Sequence, residues 1–454
     1  MSWTLKTQTE KISFPPGLNH AFWFAAFNAL SFQIVLGSPM VLYAKSLDAT
    51  ATVLGIISGM MPLLVIFQIP AANHIDRVGY KKFVYAGWGI RVMVIFIIAL
   101  VPLTVSFLNS TTRLALILML LFGFNLSRGI SSCAWLPWIT ALVPAEIRGR
   151  YLAREAAWVN FSSFVTLAFA ALCLGRQPGS WQFSLTFLFS AIMGAISLSF
   201  LKRIPDAQTP EEAKNLRTPV PYREMTRFVP FRKLLGEVLA WSVAYGGMNT
   251  FTVAFLKAGT QMAEREILLV SSVAYLGGLG SLWLLGSRLD RLGSRPVLTF
   301  SFCTWLLILV GWTFLAAGVF APRPPLILAL QFLMGLSAAL VNMANTRLAM
   351  AIIPPMGRSH FFAIYSVVLN VSLGLSPIFW GLLIDALSGL RLDWNGFEWN
   401  RYTIFFAAVG LAFVVALGLS RRLEEPSAVS MEELLKELLI QSPQRIWVRF
   451  WPRA

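Results

Sequence analysis

The hydrophobic positions of this chain fall into twelve long apolar runs separated by short polar connections. Each run is long enough to cross the ~30 Å hydrocarbon core of a bilayer as an α-helix. A lone strand in lipid would leave its backbone N–H and C=O groups unpaired, so the runs predict helices. The predicted segments are 19–43, 52–72, 82–105, 114–142, 153–174, 181–201, 234–256, 267–286, 296–319, 326–352, 360–386 and 402–420.

The polar connections contain an internal repeat. A turn with the order Asp-Arg-x-Gly follows the second run and occurs again after the eighth, and ALVPAEIRGRYLA at 141–153 aligns without a gap on AIIPPMGRSHFFA at 351–363. Two like-oriented halves predict an all-α integral membrane protein with twelve transmembrane helices in two pseudo-symmetric six-helix bundles and a pathway between them. The repeated positions are Asp76, Arg77, Gly79 and Arg148 in the first half and Asp290, Arg291, Gly293 and Arg358 in the second.

Composition and charge agree with a membrane chain. Hydrophobic residues make up 57% of the 454 positions and charged residues only 13%, about half of what a soluble protein carries. The net charge of +16 is spread over the short connections, which argues against a nucleic-acid partner. Lys and Arg concentrate after the even-numbered segments and in the middle connection, so both termini are predicted to be cytoplasmic in a plasma (inner) membrane.

The polar stretches divide the chain into five predicted parts. The middle connection is rich in Pro and charge and is predicted to link the halves. The segment after the last run has a capping box, a leucine face and interleaved Arg and Trp, which favours a tail lying on anionic lipid over a partner-binding element. The parts are a cytoplasmic N-tail at 1–18, a six-helix bundle at 19–202, a linker at 203–232, a second bundle at 233–421 and an amphipathic tail at 422–454. No cleavable signal peptide is expected.

The two repeated turns carry a resemblance to a known family. The turn around Asp76 and the turn around Asp290 resemble the loop motif Gly-x-x-x-Asp-Arg-x-Gly-basic-basic of the major facilitator superfamily. Ala72 stands where that motif has its first Gly, whereas Gly286 keeps it in the second copy. The resemblance covers nearly the whole chain. It implies a transporter in which segments one, four, seven and ten line the pathway.

The repeated turns are predicted to form a gate. A carboxylate at the end of one helix is stabilised by the N-terminus of a helix in the other half. Asp76 is expected to face the start of segment eleven near Ser359, and Asp290 the start of segment five near Tyr151. Arg77, Arg148, Arg291 and Arg358 would complete an ionic latch on the cytoplasmic side. The alternative is that these charges only set the topology.

Arg128 is the most informative polar residue inside a predicted span. It lies near the middle of segment four, where a charge costs ~3 kcal/mol or more, and no membrane carboxylate lies at comparable depth. One hypothesis is contact with an anionic or hydroxyl-rich substrate, and the other is bonding to backbone carbonyls and neighbouring helices. Arg91 in segment three is expected to be structural and to snorkel. Glu237 is the remaining candidate for a proton relay.

Further polar and aromatic residues line the helical faces expected to form the pathway. The aromatic members could stack on a sugar or a flat cation, although aromatic and polar residues at helical spacing often only join helices. The candidate substrate-binding residues are Asn28, Asn125, Arg128, Trp135, Glu237, Trp241, Tyr245, Asn249, Gln331, Asn342 and Asn345.

The predicted function is secondary transport of a small solute by alternating access, with an anionic or polyhydroxylated solute favoured. The alternatives are a passive facilitator, a drug-type exporter and a non-transporting receptor on the same scaffold. An enzyme is not expected, because the chain has only three His and no Walker-type phosphate loop. The three Cys are too far apart for a metal motif, so no metal or cofactor is expected. The expected partners are the solute and membrane lipids, and the chain is expected to be a monomer.

Overall fold

The computed structural model of the protein describes residue 15 and residues 17–72, 74–143, 148–207, 227–285, 293–352 and 358–423. The first half, up to the linker, contains ten α-helices in the described part. They are α1 Asn19–Leu36, α2 Ser38–Ser46, α3 Ala51–Leu64, α4 Gln68–Ala72, α5 Ile75–Val78, α6 Tyr80–Leu100, α7 Ser110–Ser132, α8 Trp135–Leu142, α9 Arg148–Leu174 and α10 Ser180–Arg203. Short 3₁₀ turns at Val65–Phe67 and Val101–Ser106 extend α3 and α6.

The second half contains seven α-helices and one β-hairpin in the described part. They are α11 Val229–Tyr245, α12 Met248–Ala258, α13 Glu264–Leu285, α14 Ser294–Ala316, α15 Pro324–Ile352, α16 Arg358–Ala386, the strands β1 Arg391–Trp394 and β2 Phe397–Asn400, and α17 Arg401–Ser420. We call the end of the bundle that carries this hairpin the hairpin end, and the opposite end, where α10 stops and α11 starts, the linker end.

These helices make the passes that the apolar runs predict. Ten helical stretches of the described residues are long and apolar enough to cross a membrane. The other two passes are the α11–α12 pair and α13, which occupy the seventh and eighth places in chain order. Several helices begin at a side-chain cap: Thr50 accepts a hydrogen bond from the backbone of Val53, and Asn109 from that of Thr112. Such caps satisfy N–H groups that have no partner inside the helix.

Among the described residues, three passes are divided into two α-helices by residues that are not helical. The first breaks at Gly37 between α1 and α2, the fourth at Cys133–Ala134 between α7 and α8, and the seventh at Gly246–Gly247 between α11 and α12. Gly247 has φ +87°, which a side chain would strain. The first and seventh passes occupy equivalent places in the two halves, so the repeat extends from the turns to the helix breaks. The apolar runs gave no sign of these interruptions.

The β-hairpin between α16 and α17 was not expected from the apolar pattern. Its strands pair antiparallel with Trp394 opposite Phe397. Asn395 and Gly396 form the two-residue turn with φ +56° and +77°. An Asn-Gly pair is the preferred sequence for a turn that needs two positive φ angles. The signal for the hairpin was therefore present in the sequence, in the connection between the last two apolar runs.

The halves meet along two helix pairs, α3 with α16 and α9 with α13. Glycines allow close approach in the first pair: a Cβ on Gly55 would lie 2.2 Å from the carbonyl oxygen of Pro377, and one on Gly59 would lie 2.2 Å from that of Gly374. Small residues of this kind let helices pack backbone to backbone in lipid. The outward faces of the bundle are apolar and exposed, for example Leu172, Leu307 and Leu411, as expected for a surface solvated by acyl chains.

Candidate functional site

A cavity of about 470 Å³ lies between α2 and α9 of the first half and α11–α12, α13, α14 and α15 of the second. On α15 its lining runs from Gln331 to Met343, a rise of about 18 Å along a helix. The volume is in the range of small-molecule binding sites. Its hydrogen-bonding lining residues are Ser38, Asn160, Tyr245, Asn249, Ser271, Tyr275, Trp305, Gln331 and Asn342.

Several of these lining groups are buried without a hydrogen-bond partner in the described part of the chain. Gln331 is 1% exposed, and neither its amide nitrogen nor its amide oxygen has a partner. The Ser271 hydroxyl and the Trp305 indole nitrogen are also unpaired. Burying such a group unpaired costs about 1–3 kcal/mol. Unused donors and acceptors that converge on one cavity are therefore available to a ligand.

The cavity lining carries no charged side chain among the residues that the structure describes. Amides, hydroxyls and one indole N–H supply its polarity, and the rings of Tyr245 and Trp305, with centroids 5.8 Å apart, supply flat apolar surface. Neutral donors and acceptors beside aromatic rings can hold a solute that bears many hydrogen-bonding groups and no net charge.

Two of the lining residues lie on either side of the break in the seventh pass. Tyr245 ends α11 and Asn249 lies in the first turn of α12, on either side of Gly246–Gly247. Residues of α16 hold the interrupted backbone: Ser376 and Trp380 both donate to the carbonyl oxygen of Val243, at 2.7 and 2.8 Å. These bonds satisfy a carbonyl that the break would leave unpaired in the membrane.

The hairpin end of the molecule is closed by a carboxylate at a helix N-terminus. One oxygen of Asp385, at the end of α16, accepts from the backbone N–H of Ala51 at 2.9 Å. The other oxygen accepts from the backbone N–H of Thr52 at 2.7 Å and from its hydroxyl at 2.6 Å. Asp385 belongs to the second half and α3 to the first, so these bonds tie the halves together where an anion also complements the helix dipole. We call this set the Asp385 latch.

At the linker end the same helix pair separates. A cavity of about 230 Å³ lies between the end of the α3–α4 pass and the first half of α16, with Pro62 and Gln68 on one side and Ala363 and Asn370 on the other. Along α3 and α16 the packing is therefore tight near the hairpin end and loose near the linker end.

The gate predicted at the linker end is only partly covered by the structure. The side chains of Asp76, Arg148 and Arg358, and the whole of Asp290 and Arg291, lie outside the described residues, so the ionic latch remains a prediction. Arg77 is described and exposed. The two repeat glycines are described and alike: Gly79 has φ +85° and ψ +150°, and Gly293 has φ +85° and ψ +163°. Only glycine readily adopts this conformation.

Replacing Gly79 with Ala is expected to lower the free energy of unfolding by about 1–3 kcal/mol, because alanine is strained at this φ and ψ. Space is not the cause, since a Cβ at Gly79 would meet nothing within 4 Å. Gly89→Ala in α6 is the matched control, because a Cβ there is equally free and the backbone is helical. Thermal unfolding midpoints of the two variants test this, and an equal change in both would contradict the backbone argument.

The predicted substrate-binding residues fall into three groups. Tyr245, Asn249, Gln331 and Asn342 line the large cavity, and Trp241 packs on Tyr245 with ring centroids 4.1 Å apart. Glu237 and Asn345 are buried, and their polar side-chain atoms have no hydrogen-bond partner in the described part of the chain. The remaining four residues, Asn28, Asn125, Arg128 and Trp135, lie in the first half outside the cavity lining.

The first-half candidates are held by local contacts. Asn28 accepts a hydrogen bond from the Trp88 indole at 3.2 Å, and the Asn125 amide donates to the Leu121 carbonyl within α7 at 2.9 Å. Trp135 packs on Phe24 with centroids 4.9 Å apart. Arg128 differs, because its Nη1 is buried and has no acceptor in the described part.

Sequence reasoning missed five hydrogen-bonding lining residues, which are Ser38, Asn160, Ser271, Tyr275 and Trp305. Four of them lie in the fifth, eighth and ninth passes, which the resemblance does not count among the pathway helices. A polar Asn inside an apolar run was the available signal at Asn160. Tyr275 also bonds across the halves, where its hydroxyl accepts from the Gln33 amide of α1.

Comparison with known proteins decides the family. The family model described as Major Facilitator Superfamily matches residues 21–260 and again residues 242–452. The chain belongs to the major facilitator superfamily. The two matches overlap at residues 242–260 and together cover nearly the whole chain. They confirm the family and the twelve-helix, two-bundle fold predicted from the sequence.

Individual relatives agree with this membership. The chain is 28% identical over 284 residues to an uncharacterised MFS-type transporter, YhhS, of Salmonella paratyphi C (strain RKS4594), which covers 62% of each chain. It thus spans less than two thirds of that relative's length. Among solved structures it resembles a D-xylose–proton symporter (TM-score 0.69, 13% identity, 90% of this chain and 98% of that one). It also resembles the nucleoside transporter NupG (TM-score 0.65, 14% identity, 90% and 100%). At these identities the structures show the fold alone.

Proposed function

We propose that this protein is a secondary transporter that carries a small, uncharged, hydrogen-bonding solute through the cavity between its halves. The observation that carries this proposal is the set of unpaired, neutral polar groups on the cavity wall, led by the Gln331 amide. A charged solute would leave its charge uncompensated in this cavity, because no described lining residue carries the opposite charge. Of the two solute classes favoured by the sequence, the cavity favours the polyhydroxylated one.

The described conformation supports alternating access. The Asp385 latch and the glycine contacts of α3 with α16 close the hairpin end, while the same helices separate toward the linker end. With the linker cytoplasmic, as the Lys and Arg distribution predicts, this is an inward-facing state in an inner membrane. The predicted ionic latch at the linker end would close the opposite side in the outward-facing state.

The solute class is tested on the purified full-length chain by thermal unfolding in the presence of matched pairs of solutes. Each pair consists of a neutral sugar, polyol or nucleoside and its carboxylated or phosphorylated counterpart. A solute that binds the folded state raises its midpoint. We expect neutral members to raise the midpoint at lower concentrations than their charged counterparts. Increases confined to the charged members would overturn the proposed solute class.

The transport activity is tested with any neutral solute that the unfolding assay finds. Counterflow of labelled solute into proteoliposomes is expected, because alternating access exchanges solute across the bilayer. Binding without counterflow would instead show a receptor on this scaffold. Accumulation with and without an imposed pH gradient then distinguishes a passive facilitator from a proton-coupled transporter.

A further inference from the structure

Two arginines lie where α6 packs on α7 in the first half, outside the lining of the neutral cavity. Arg91 lies on α6 and is 4% exposed, and Arg128 lies on α7, where its Nη1 is buried. The Arg91 guanidinium packs on the ring of Phe124, one helical turn before Arg128 on the same face of α7. Both positions are many residues from either end of their passes, so both charges sit at membrane depth. Arg91 does not snorkel, because its side chain is enclosed rather than extended toward an interface.

Aromatic rings cover the faces of one guanidinium but leave its edges unused. The Arg91 Cζ lies 4.6 Å from the centroid of the Trp88 ring and 4.8 Å from that of Phe124. A ring attracts the cation through its face and accepts no conventional in-plane hydrogen bond. Arg91 Nε and Nη1 and Arg128 Nη1 are buried with no acceptor in the described part of the chain. Three N–H-bearing nitrogens are therefore left unsatisfied around two adjacent positive charges.

No protein carboxylate compensates these charges among the described residues. The acids of the first half whose side chains the structure describes are Asp48, Glu155 and Asp206, and none of them forms an ion pair with either arginine in the described part. A buried charge without a partner is unfavourable, and two like charges in proximity add repulsion. Cation–π contacts stabilise the charges by much less than their burial and mutual repulsion cost.

We propose that Arg91 and Arg128 form a binding site for one small oxyanion group, such as a carboxylate, sulfate or phosphate. Guanidinium groups present planar forks of donors that match these oxyanions, and a single anion would both pair with the unused nitrogens and separate the two positive charges. The aromatic faces fix the Arg91 side chain, so its donors are already oriented. The group arrives as a free inorganic anion, which binds in addition to the neutral solute, so this site does not rest on the proposed function.

The binding site is tested on the purified full-length protein in a neutral detergent. Thermal unfolding is followed against increasing sodium sulfate, phosphate or acetate at an ionic strength held constant with sodium chloride. We expect at least one oxyanion to raise the midpoint saturably, by several degrees, in the wild type. The rise is expected to disappear in Arg91→Gln and in Arg128→Gln.

Matched variants separate site binding from general salt effects and from misfolding. Arg113→Gln removes another buried arginine of α7, one whose Nη2 already has an acceptor in Ser110 at 3.4 Å, and it should keep the oxyanion response. Arg91→Lys and Arg128→Lys retain charge without the planar fork, so they should fold and need on the order of 10-fold more oxyanion for half-saturation. These Lys variants decide the matter if the Gln variants do not fold.

A competition experiment compares the oxyanion site with the neutral cavity. Sulfate and the neutral solute are expected to bind together, because the two arginines lie outside the cavity lining. The proposal is overturned if none of the three oxyanions gives a saturable rise in the wild type, or if the rise persists unchanged in the arginine variants. Either result would show that water alone meets the guanidinium donors. Neither result bears on counterflow of a neutral solute, so failure here is distinguishable from failure of the proposed function.

Discussion

Asp385→Ala is expected to shift the protein strongly toward conformations open at the hairpin end. The substitution removes three hydrogen bonds from a carboxylate to the start of α3 and an anion from a helix N-terminus. Bonds to charged groups contribute about 1.5–3 kcal/mol each when well shielded. Because Asp385 is only half-buried, we expect about 2–3 kcal/mol in total, or on the order of 100-fold in the ratio of the two states.

Spin-label distances across the hairpin end measure this shift. Phe107 in the first half and Val319 in the second are 73% and 48% exposed at that end, so labels there should not disturb packing. We expect a longer distance population to appear in Asp385→Ala and to be minor in the parent. Asp48→Asn is the control, because it neutralises an exposed acid of the neighbouring loop that does not cap α3. An unchanged distance distribution in Asp385→Ala would refute the latch.

The linker-end gate predicted from the repeat should respond in the opposite direction. Asp76→Asn removes the carboxylate expected to face the start of α16, so it should favour the state closed at the hairpin end. The antiparallel pair α3 and α16 would then carry one latch at each end. In each latch, a carboxylate near the end of one pass would cap the first turn of the other helix. Such an arrangement makes the two closed states mutually exclusive, which is what alternating access requires.

The sequence predicted the passes because lipid imposes a length and a polarity on every one of them. It predicted the repeat from the two Asp-Arg-x-Gly turns and from the alignment of 141–153 on 351–363. The glycines of those turns, Gly79 and Gly293, share a backbone conformation that only glycine readily adopts. It did not predict the breaks at Gly37 and Gly246–Gly247. An apolar run has the same composition whether its helix is continuous or is interrupted and stabilised by a hydrogen bond from another helix, such as the one that Ser376 donates. Breaks of that kind depend on tertiary bonds, which leave little signal in local sequence.

The candidate site was harder to predict for the same reason. Helical spacing placed Tyr245, Asn249 and Asn342 on plausible faces, but it does not say which helices surround a cavity, so Asn160 and Tyr275 were missed. Asp385 was overlooked because its partner is more than three hundred positions away in the chain. Arg91 was expected to snorkel, and its burial against Trp88 depends on how α6 packs on α7. Pairings between distant segments are set by the fold rather than by neighbours in sequence.

Gln331→Leu is expected to abolish binding of the neutral solute while leaving the unliganded protein as stable as before, or more stable. Both amide atoms of Gln331 are buried without a partner in the described part of the chain, so an apolar side chain of similar size removes an unsatisfied group rather than a bond. The bound solute, in contrast, loses its hydrogen bonds to that amide. We expect a loss of affinity on the order of 100-fold, which corresponds to about 2.7 kcal/mol.

This pair of effects separates a binding residue from a structural one. Ser337→Ala is the matched control, because Ser337 lies on the same helix, is equally buried and unpaired, and does not line the cavity. It should also leave stability unchanged or raise it, yet keep the solute-dependent rise in midpoint. The measurement is the thermal midpoint of each variant with and without the solute. If Gln331→Leu instead lowered the midpoint and retained the solute response, Gln331 would be a packing residue. The proposal of a neutral solute would then lose its main support, which is the unpaired amide of Gln331.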